Sequence, residues 1–490
     1  MAKAEAFQDL ALTTPRRSQE LWRWLYSEIR AAILDGRLKR GSRLPSERSL
    51  AKQYGLARGT VTAAFDQLRA EGYASSEIGS GTFVASGLPE DGMVARRVRR
   101  GPALPKSRAG LSARGRMMVD GVLLLPPSQS IGKAFRNYEP AIDLFPMNLW
   151  ARIAGRVLRR APRTLYAQGN AAGFEPLRRA IAEYLGAARG VKCDAGQVIV
   201  TSGAQQALDL TARLLLEPGD SAWVEDPCYP GAIFTLRAAG ANIVPIPVDQ
   251  EGLNLVAAPR AAGPVKLVYT TPANQFPLGV TLSLDRRLAL LRTAVNAGAW
   301  IVEDEYDAEY RYFGPGPSPR CTAWIGRVRS SISAPSPRCY STRSVWASWS
   351  FPPGSWTPSS RLEASSTAIL DQAILAEFIL EGHFGHHVRC MRQIYGERMN
   401  ALKEAADRHL KGAVDVVRAA SGMRTIAWVK TPSSDIEIAE RARSLGLDLT
   451  ALSQFTIRYP QQPALILGFA GCTPAELRRG VSVLATVENR

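Results

Sequence analysis

Four short segments carry residue types that can do chemistry together. Ile301-Val-Glu-Asp-Glu-Tyr306 sets carboxylates at the end of an apolar run. A carboxylate buried there needs a cationic partner, and a protonated pyridine nitrogen is one. Thr201-Ser-Gly-Ala-Gln205 follows a β-rich run and opens a helical stretch, so its N–H groups and hydroxyl suit a phosphate at the positive end of a helix. A helix start of small residues equally marks close packing. Val224-Glu-Asp-Pro-Cys-Tyr-Pro230 places Tyr229 just after a strand, where it covers a planar ring or joins the core. Thr271-Pro-Ala-Asn-Gln-Phe-Pro-Leu-Gly279 is a turn-rich loop suited to lining the same cavity.

A second set of residues points to nucleic acid. Arg58, Thr60 and Thr62 open a helical pattern, Arg43 and Arg48 flank it, and Ser80-Gly81 forms a small-residue hairpin tip. A helix-turn-helix works because the start of its second helix enters the major groove while basic residues fix the register on phosphates. The alternative is a three-helix interaction module with surface arginines.

These residues need elements to hold them. Leu21, Trp22, Leu25, Ile29, Ala32 and Ile33 recur at helical spacing and stop at Asp35-Gly36. Ser46 can cap a short helix carrying Leu50, Ala51 and Tyr54, which Gly55 ends. Arg58 to Glu71 gives a third helix with Val61, Ala64, Phe65 and Leu68 on one face, and Tyr73 to Val84 alternates around Gly79-Ser-Gly81 as a hairpin. Three helices and a hairpin make a winged helix-turn-helix, expected over 15–85. A basic, Pro-containing connector is expected over 86–138, with Arg96-Arg-Val-Arg-Arg100 inside it. Over 139–490, β-rich runs alternate with helical stretches, which implies a mostly parallel sheet wrapped by helices with ligand sites at the carboxyl ends of its strands.

Composition agrees with this division. The chain has 490 residues and a net charge of +17. Residues 1–120 hold 21 Lys and Arg against 12 Asp and Glu, so +9 of that charge sits at the end expected to meet a polyanion. The absence of a long apolar run or a signal pattern leads to the expectation of a cytosolic protein. Six Cys with no CxxC argue against a disulfide scaffold. His383, His386, His387 and Cys390 read better as part of a helix than as a zinc site, so no metal is expected.

The run from Gly41 to Ala51, then Tyr54 to Val61, Leu68, Glu71-Gly-Tyr73 and Gly79 to Val84, resembles the GntR-family winged helix. Ala57 stands where that family usually places a capping Ser or Thr. The segments after Tyr138 resemble fold-type I aminotransferases, and the two halves together resemble the MocR subfamily of GntR regulators. That resemblance implies a transcriptional regulator that binds a double-stranded DNA operator as a homodimer, with an aminotransferase-like domain sensing pyridoxal phosphate or an amino compound. It also implies that Ser202, Gly203, Ala204 and Gln205 take the cofactor phosphate, Tyr229 stacks on the ring, Asp304 pairs with the pyridine nitrogen, Tyr306 reaches the ring hydroxyl, and Asn274 is among the cofactor-binding residues. Phe276 stands where many aminotransferases have Asn, and Ile466 stands where they carry a carboxylate-binding Arg. A working aminotransferase with an accessory DNA-binding end, or a damaged version of the regulator, are the rival readings.

The Schiff-base lysine of that family, within Thr-Phe-Ser-Lys, is missing. Residues 317–366 hold 14 Ser, 7 Pro, 6 Arg and 4 Trp, with no Lys, Asp, Asn or Gln and a single Glu. This composition reads as a frame displaced by one base. Ala334-Pro-Ser-Pro-Arg-Cys339 can be written in codons that regroup, one base earlier, as Gly-Thr-Phe-Ser-Lys-Val, which puts the expected lysine across Pro337 and Arg338. Two compensating insertions or deletions, near Gly314 to Pro317 and near Ser365 to Thr367, account for the stretch. The expectation is then a sheet with a hole and a chain that cannot transaminate, because that reaction needs a lysine amine.

Overall fold

Helix α1 (Leu21–Leu34) buries Trp24, Leu25, Ile29, Ala32 and Ile33. Leu21 is 44% exposed, and Trp22 lies under the Arg23 guanidinium rather than in the core. The inward stripe therefore starts at Trp24 and Leu25, with Leu25 one turn before Ile29 and in line with it, and not at Leu21 as the spacing suggested. Ser46 accepts from the Ser49 N–H at 3.1 Å and starts α2 (Glu47–Tyr54), which Gly55 closes in the left-handed region. Helix α3 (Arg58–Ala70) turns Val61, Ala64, Phe65 and Leu68 inward and has no side-chain cap at Ala57. Strands β1 (Ala74–Glu77) and β2 (Gly81–Val84) pair antiparallel, Ala74 opposite Val84. One apolar cluster joins all five elements.

This computed structural model describes residues 20–77, 80–89, 110–120, 134–137, 139–160, 162, 170–259, 264–313, 330–334, 345–350 and 369–488. Gly79, the Arg96–Arg100 run, and Pro337 with Arg338 lie outside them. The chain divides into two units, Met1–Gly110 and Leu111–Arg490. The second takes in α4 (Ala113–Asp120) and the fully buried Phe135, which bridges to Gly468, both within the stretch expected as connector.

In the second unit, α5 (Met147–Arg160) and α6 (Glu175–Arg189) precede β3 (Val198–Thr201), α7 (Ala204–Leu215), β4 (Ser221–Asp226), α8 (Pro230–Ala238), β5 (Asn242–Asp249), β6 (Gly252–Leu253), β7 (Val265–Thr270), α9 (Leu284–Ala297) and β8 (Trp300–Asp304). Strands β9 (Ser330–Ala334) and β10 (Val345–Ser350) complete a sheet of order β3-β10-β9-β8-β7-β4-β5-β6. Pairing is parallel through β9, β8, β7, β4 and β5, and antiparallel at β10 and β6. Adjacent residues of one strand bury on opposite faces. Leu267 and Tyr269 pack with α7 and α8, and Val268 packs with α9, as a parallel sheet covered on both sides requires.

The expected hole is not there. Strands β9 and β10, from the stretch of displaced composition, stand between β8 and β3. Ladder hydrogen bonds use only main-chain groups, so the open edges of β3 and β8 can pair a segment whose side chains carry no strand pattern.

After α10 (Ile369–Leu380) and α11 (His383–His409), an antiparallel sheet forms from β11 (Val414–Val416), β12 (Arg424–Val429), β13 (Thr450–Ala451) and β14 (Ala464–Gly468), with α12 (Asp435–Ser444) and α13 (Pro474–Glu488) packed on it. On α11, His387 is buried edge-on to Phe145, while His386 meets Cys390 Sγ at 3.5 Å. Among the described residues no three His, Cys, Asp or Glu gather as metal ligands.

Burial, helped by neighbouring His386, lowers the His387 pKa to about 4. In the unfolded chain it titrates near 6.5, so between those values the unfolded state binds the extra proton. The His387 contribution to stability is complete above about pH 6.5 and is lost as pH falls toward 4. His387→Phe is expected to flatten that part of the stability-against-pH curve, measured by denaturant titration across pH 4–7. An unchanged slope would rule out this assignment.

Candidate functional site

In the first unit, the outer face of α3 begins with Arg58 and Gly59, both exposed. Thr60 is half-buried, and its N–H bonds the Ala57 carbonyl. Thr62 is placed differently from expectation. Its hydroxyl donates to Glu47 Oε2 at 2.6 Å, so it fastens α3 to α2 instead of reaching outward. Arg48 is exposed on α2. Arg43 bridges to Phe83 and lies against the wing, where a Cβ on Gly81 would stand 2.9 Å from its Nε. Gly81 thus serves two ends, a φ of +108° and the close passage of a guanidinium. Exposed Ser80 stands beside it. The arrangement presents Arg58, Arg48 and the Arg43–Gly81 pair as cationic points on a helix-turn-helix with a wing, which is what duplex recognition needs.

In the second unit, the parallel strands run the same way, so Thr201, Asp226, Thr270 and Asp304 end along one edge of the sheet. At the β3 end, Ser202 N–H and Ser202 Oγ converge on a single oxygen, Gln206 Oε1, at 2.5 and 2.8 Å. Two donors aimed at one acceptor at a helix start, with Gly203 and Ala204 adding no bulk, make a geometry that suits an anion. Gln205 behaves otherwise. Its side-chain amide is spent on Gly231 O and Thr235 Oγ1 of α8, leaving only its backbone for an anion.

At the β8 end, Asp304 is buried and accepts from Tyr269 OH at 2.9 Å. Burial and the adjacent carboxylate hold the Tyr269 hydroxyl well above its ordinary pKa, so it stays a donor. Tyr306 donates to the Asn274 carbonyl. Burial raises the Tyr306 pKa, and the Arg424 guanidinium partly opposes this. Tyr229, at the start of α8, meets Phe276 edge-on at 5.6 Å, and Phe276 also meets Tyr306 and Phe455. A carboxylate at the strand end, phenols beside it and two converging donors on the same sheet edge fit a phosphopyridine: acid to ring nitrogen, phenol to ring hydroxyl, donors to phosphate.

Two carboxylates shape this edge, and sequence reasoning gave neither a role. Glu225, fully buried, accepts from Thr270 Oγ1 (2.5 Å), Thr271 N–H (3.1 Å), Thr271 Oγ1 (2.6 Å) and Gln275 Nε2 (3.3 Å). Burial raises its pKa and these donors resist the rise. It anchors the loop that presents Asn274 and Phe276. Asp226 accepts from three consecutive N–H groups, Ile457 (2.8 Å), Arg458 (2.7 Å) and Tyr459 (2.8 Å). The signal was available: Glu225-Asp226 ends an apolar run just as Glu303-Asp304 does.

The description "Bacterial regulatory proteins, gntR family" matches residues 23–84, and "Aminotransferase class I and II" matches 148–322. The second match stops shortly after the unusual composition begins. The chain is similar to the probable rhizopine catabolism regulatory protein MocR of Rhizobium meliloti, with 37% identity over 94% of this chain and 92% of that one. It is 27% identical, over 93% of both chains, to the HTH-type pyridoxine biosynthesis transcriptional regulator PdxR of Corynebacterium glutamicum. Among solved structures, LysN, the alpha-aminoadipate aminotransferase of Thermus thermophilus, superposes with a TM-score of 0.64 at 24% identity, covering 77% of this chain and 95% of that one. An archaeal alanine:glyoxylate aminotransferase gives 0.66 at 23%, covering 78% and 96%. These two show the fold.

Proposed function

The chain belongs to the MocR-type transcriptional regulators, a GntR winged helix-turn-helix joined to an aminotransferase class I/II-like domain, and from that premise we propose that its second unit senses a pyridoxal-phosphate-linked amino compound without transforming it. The carrying observation is the convergence of Ser202 N–H and Oγ on one oxygen at the start of α7, on the same sheet edge as buried Asp304. Ser202, with the backbone of Gly203, Ala204 and Gln205, holds the phosphate. Tyr229 covers the ring, Asp304 keeps the pyridine nitrogen protonated, and Tyr306 and Asn274 orient the hydroxyl side. When bound, the cofactor supplies an aldehyde carbon that amines can reach. The chain's own residues bind and orient it, and the stretch 317–366 offers no lysine to shuttle a proton.

Sensing then works by population shift. A ligand that binds one domain arrangement of a homodimer more tightly than another moves the balance between them, and with it the affinity for the operator. Among the described residues no helix is long and apolar enough to cross a membrane.

Arg58→Ala is expected to lower affinity for duplex DNA adjoining the protein's own gene by about tenfold or more, the loss of one good groove contact. Gel-shift titration at fixed salt reads it, since phosphate contacts alone change affinity with ionic strength. Undiminished binding would remove α3 from the groove. Titration calorimetry with pyridoxal phosphate on the full chain tests the second unit, with loss of binding expected in Asp304→Ala.

A further inference from the structure

The acid pairs at the ends of β4 and β8 divide between the two faces of the large sheet. Val224 stands opposite Tyr269, and Tyr269 opposite Val302. Side chains alternate along a strand, so residues level with one another on neighbouring strands, and those two further on, share a face. Val224, Tyr269 and Val302 pack with α7 and α8, and Asp304, two residues beyond Val302, belongs to their side. Glu225, Thr270 and Glu303 belong to the other. Asp304 therefore shares its face with α7, which Ser202 precedes, and with α8, which Tyr229 opens.

Tyr269 has no role in the expectations drawn from the sequence. Its hydroxyl donates along that face to Asp304 Oδ2, 2.9 Å away, and both residues are buried. The kind of donor matters. A guanidinium or an ammonium in that place would cancel the charge of the carboxylate, whereas a phenol holds one oxygen still and supports the charge without cancelling it. Burial keeps the phenol protonated, and it does the same for the Cys228 thiol in the same apolar cluster. Deprived of such a donor, a carboxylate in apolar surroundings takes up a proton rather than stay charged. Once protonated, it has no charge to offer a pyridinium.

We propose that Tyr269 is a positioning residue: by donating to Asp304 it keeps that carboxylate ionised and fixed in orientation, and so sets how firmly the ring nitrogen of the bound cofactor holds its proton. This rests on the reading that the second unit takes a pyridoxal-phosphate-linked compound with Asp304 at the pyridine nitrogen. Tyr269 acts through Asp304 and does not itself meet the ligand.

The test uses the full chain and two probes that need no lysine: pyridoxamine phosphate isotopically labelled at its ring nitrogen, and its carbocyclic analogue, in which a CH group replaces that nitrogen. Calorimetry reads affinity, and the nitrogen resonance of the bound probe reads protonation. Tyr269→Phe is expected to bind pyridoxamine phosphate about tenfold less tightly than the unaltered chain, the loss of one hydrogen bond to a charged group, and to shift the resonance toward that of neutral pyridine. The carbocyclic analogue is expected to bind both chains alike, which also shows the variant folded. Where the Phe variant does not fold, fluorotyrosine in place of Tyr269, a stronger donor of nearly the same size, is expected to move the resonance the opposite way, read at a pH where the unaltered complex is half protonated. Equal loss of both probes would make Tyr269 a support of the fold alone, and an unmoved resonance would remove its influence on the nitrogen. Either result overturns the inference and leaves the cofactor site standing. If the unaltered chain binds neither probe, the underlying reading falls and the inference goes with it.

Discussion

Borohydride reduction of the full chain at stoichiometric pyridoxal phosphate is expected to attach no cofactor within residues 317–366, whereas a chain repaired to Gly-Thr-Phe-Ser-Lys is expected to be labelled at that one lysine. The reason is chemical. Only an unprotonated amine positioned at the cofactor aldehyde forms the bond that borohydride fixes, and the stretch contains no lysine at all. Peptide mass mapping reads the result as presence against absence. The companion measurement is the DNA sequence under Ser333 to Trp349. Read one base earlier it should encode Gly-Thr-Phe-Ser-Lys, and any other sequence there overturns the displaced-frame explanation. A single labelled lysine elsewhere in the unaltered chain would show that another residue has taken over the anchor, and the sensing reading would give way to the enzymatic one.

Asp226→Ala is expected to cost on the order of 3 kcal/mol of stability in the second unit. The carboxylate, fully buried at the end of β4, is the acceptor for three consecutive backbone N–H groups. Truncation takes the acceptor from three part-buried donors, each loss worth up to roughly 1–3 kcal/mol and softened by water reaching the 457–459 loop and by its movement. A lower denaturant midpoint with an unchanged slope is the expected signature. Asp209→Ala is the control. Its pair with Arg213 is an exposed i,i+4 contact, and its loss should cost about 0.5 kcal/mol or less. Equal effects from the two substitutions would mean that the triple N–H cluster contributes little.

The elements that place both sites were largely legible in advance, and the reasons are local. Ser46, Gly55 and the Val61, Ala64, Phe65, Leu68 stripe follow from capping, left-handed backbone and helical period, all set within a few residues. Alternating β-rich and helical runs likewise gave the parallel sheet and its carboxyl edge. The misread details depended on distant partners. Thr62 looked like a groove contact until Glu47, fifteen residues earlier, was found to accept its hydroxyl. The Gln205 side-chain amide turns to α8, a partner 26 residues on that its own segment does not announce. The stretch after Pro317 has no strand period, yet β9 and β10 occupy the sheet there, since neighbouring strands supply main-chain partners whatever the side chains are.

By itself the sequence determined which residue types stand where: a basic helix after a turn, a strand-end aspartate, a small-residue helix start, and no lysine within residues 317–366. These are properties of residue type and short spacing, which a linear reading contains. Only the tertiary structure decided which of these groups meet. Asp226 reaches a loop more than two hundred residues away, and Arg424 lies over Phe276 and Tyr306 from another sheet. Such contacts depend on strand register and sheet packing, which place side chains through space and leave no periodic trace along the chain.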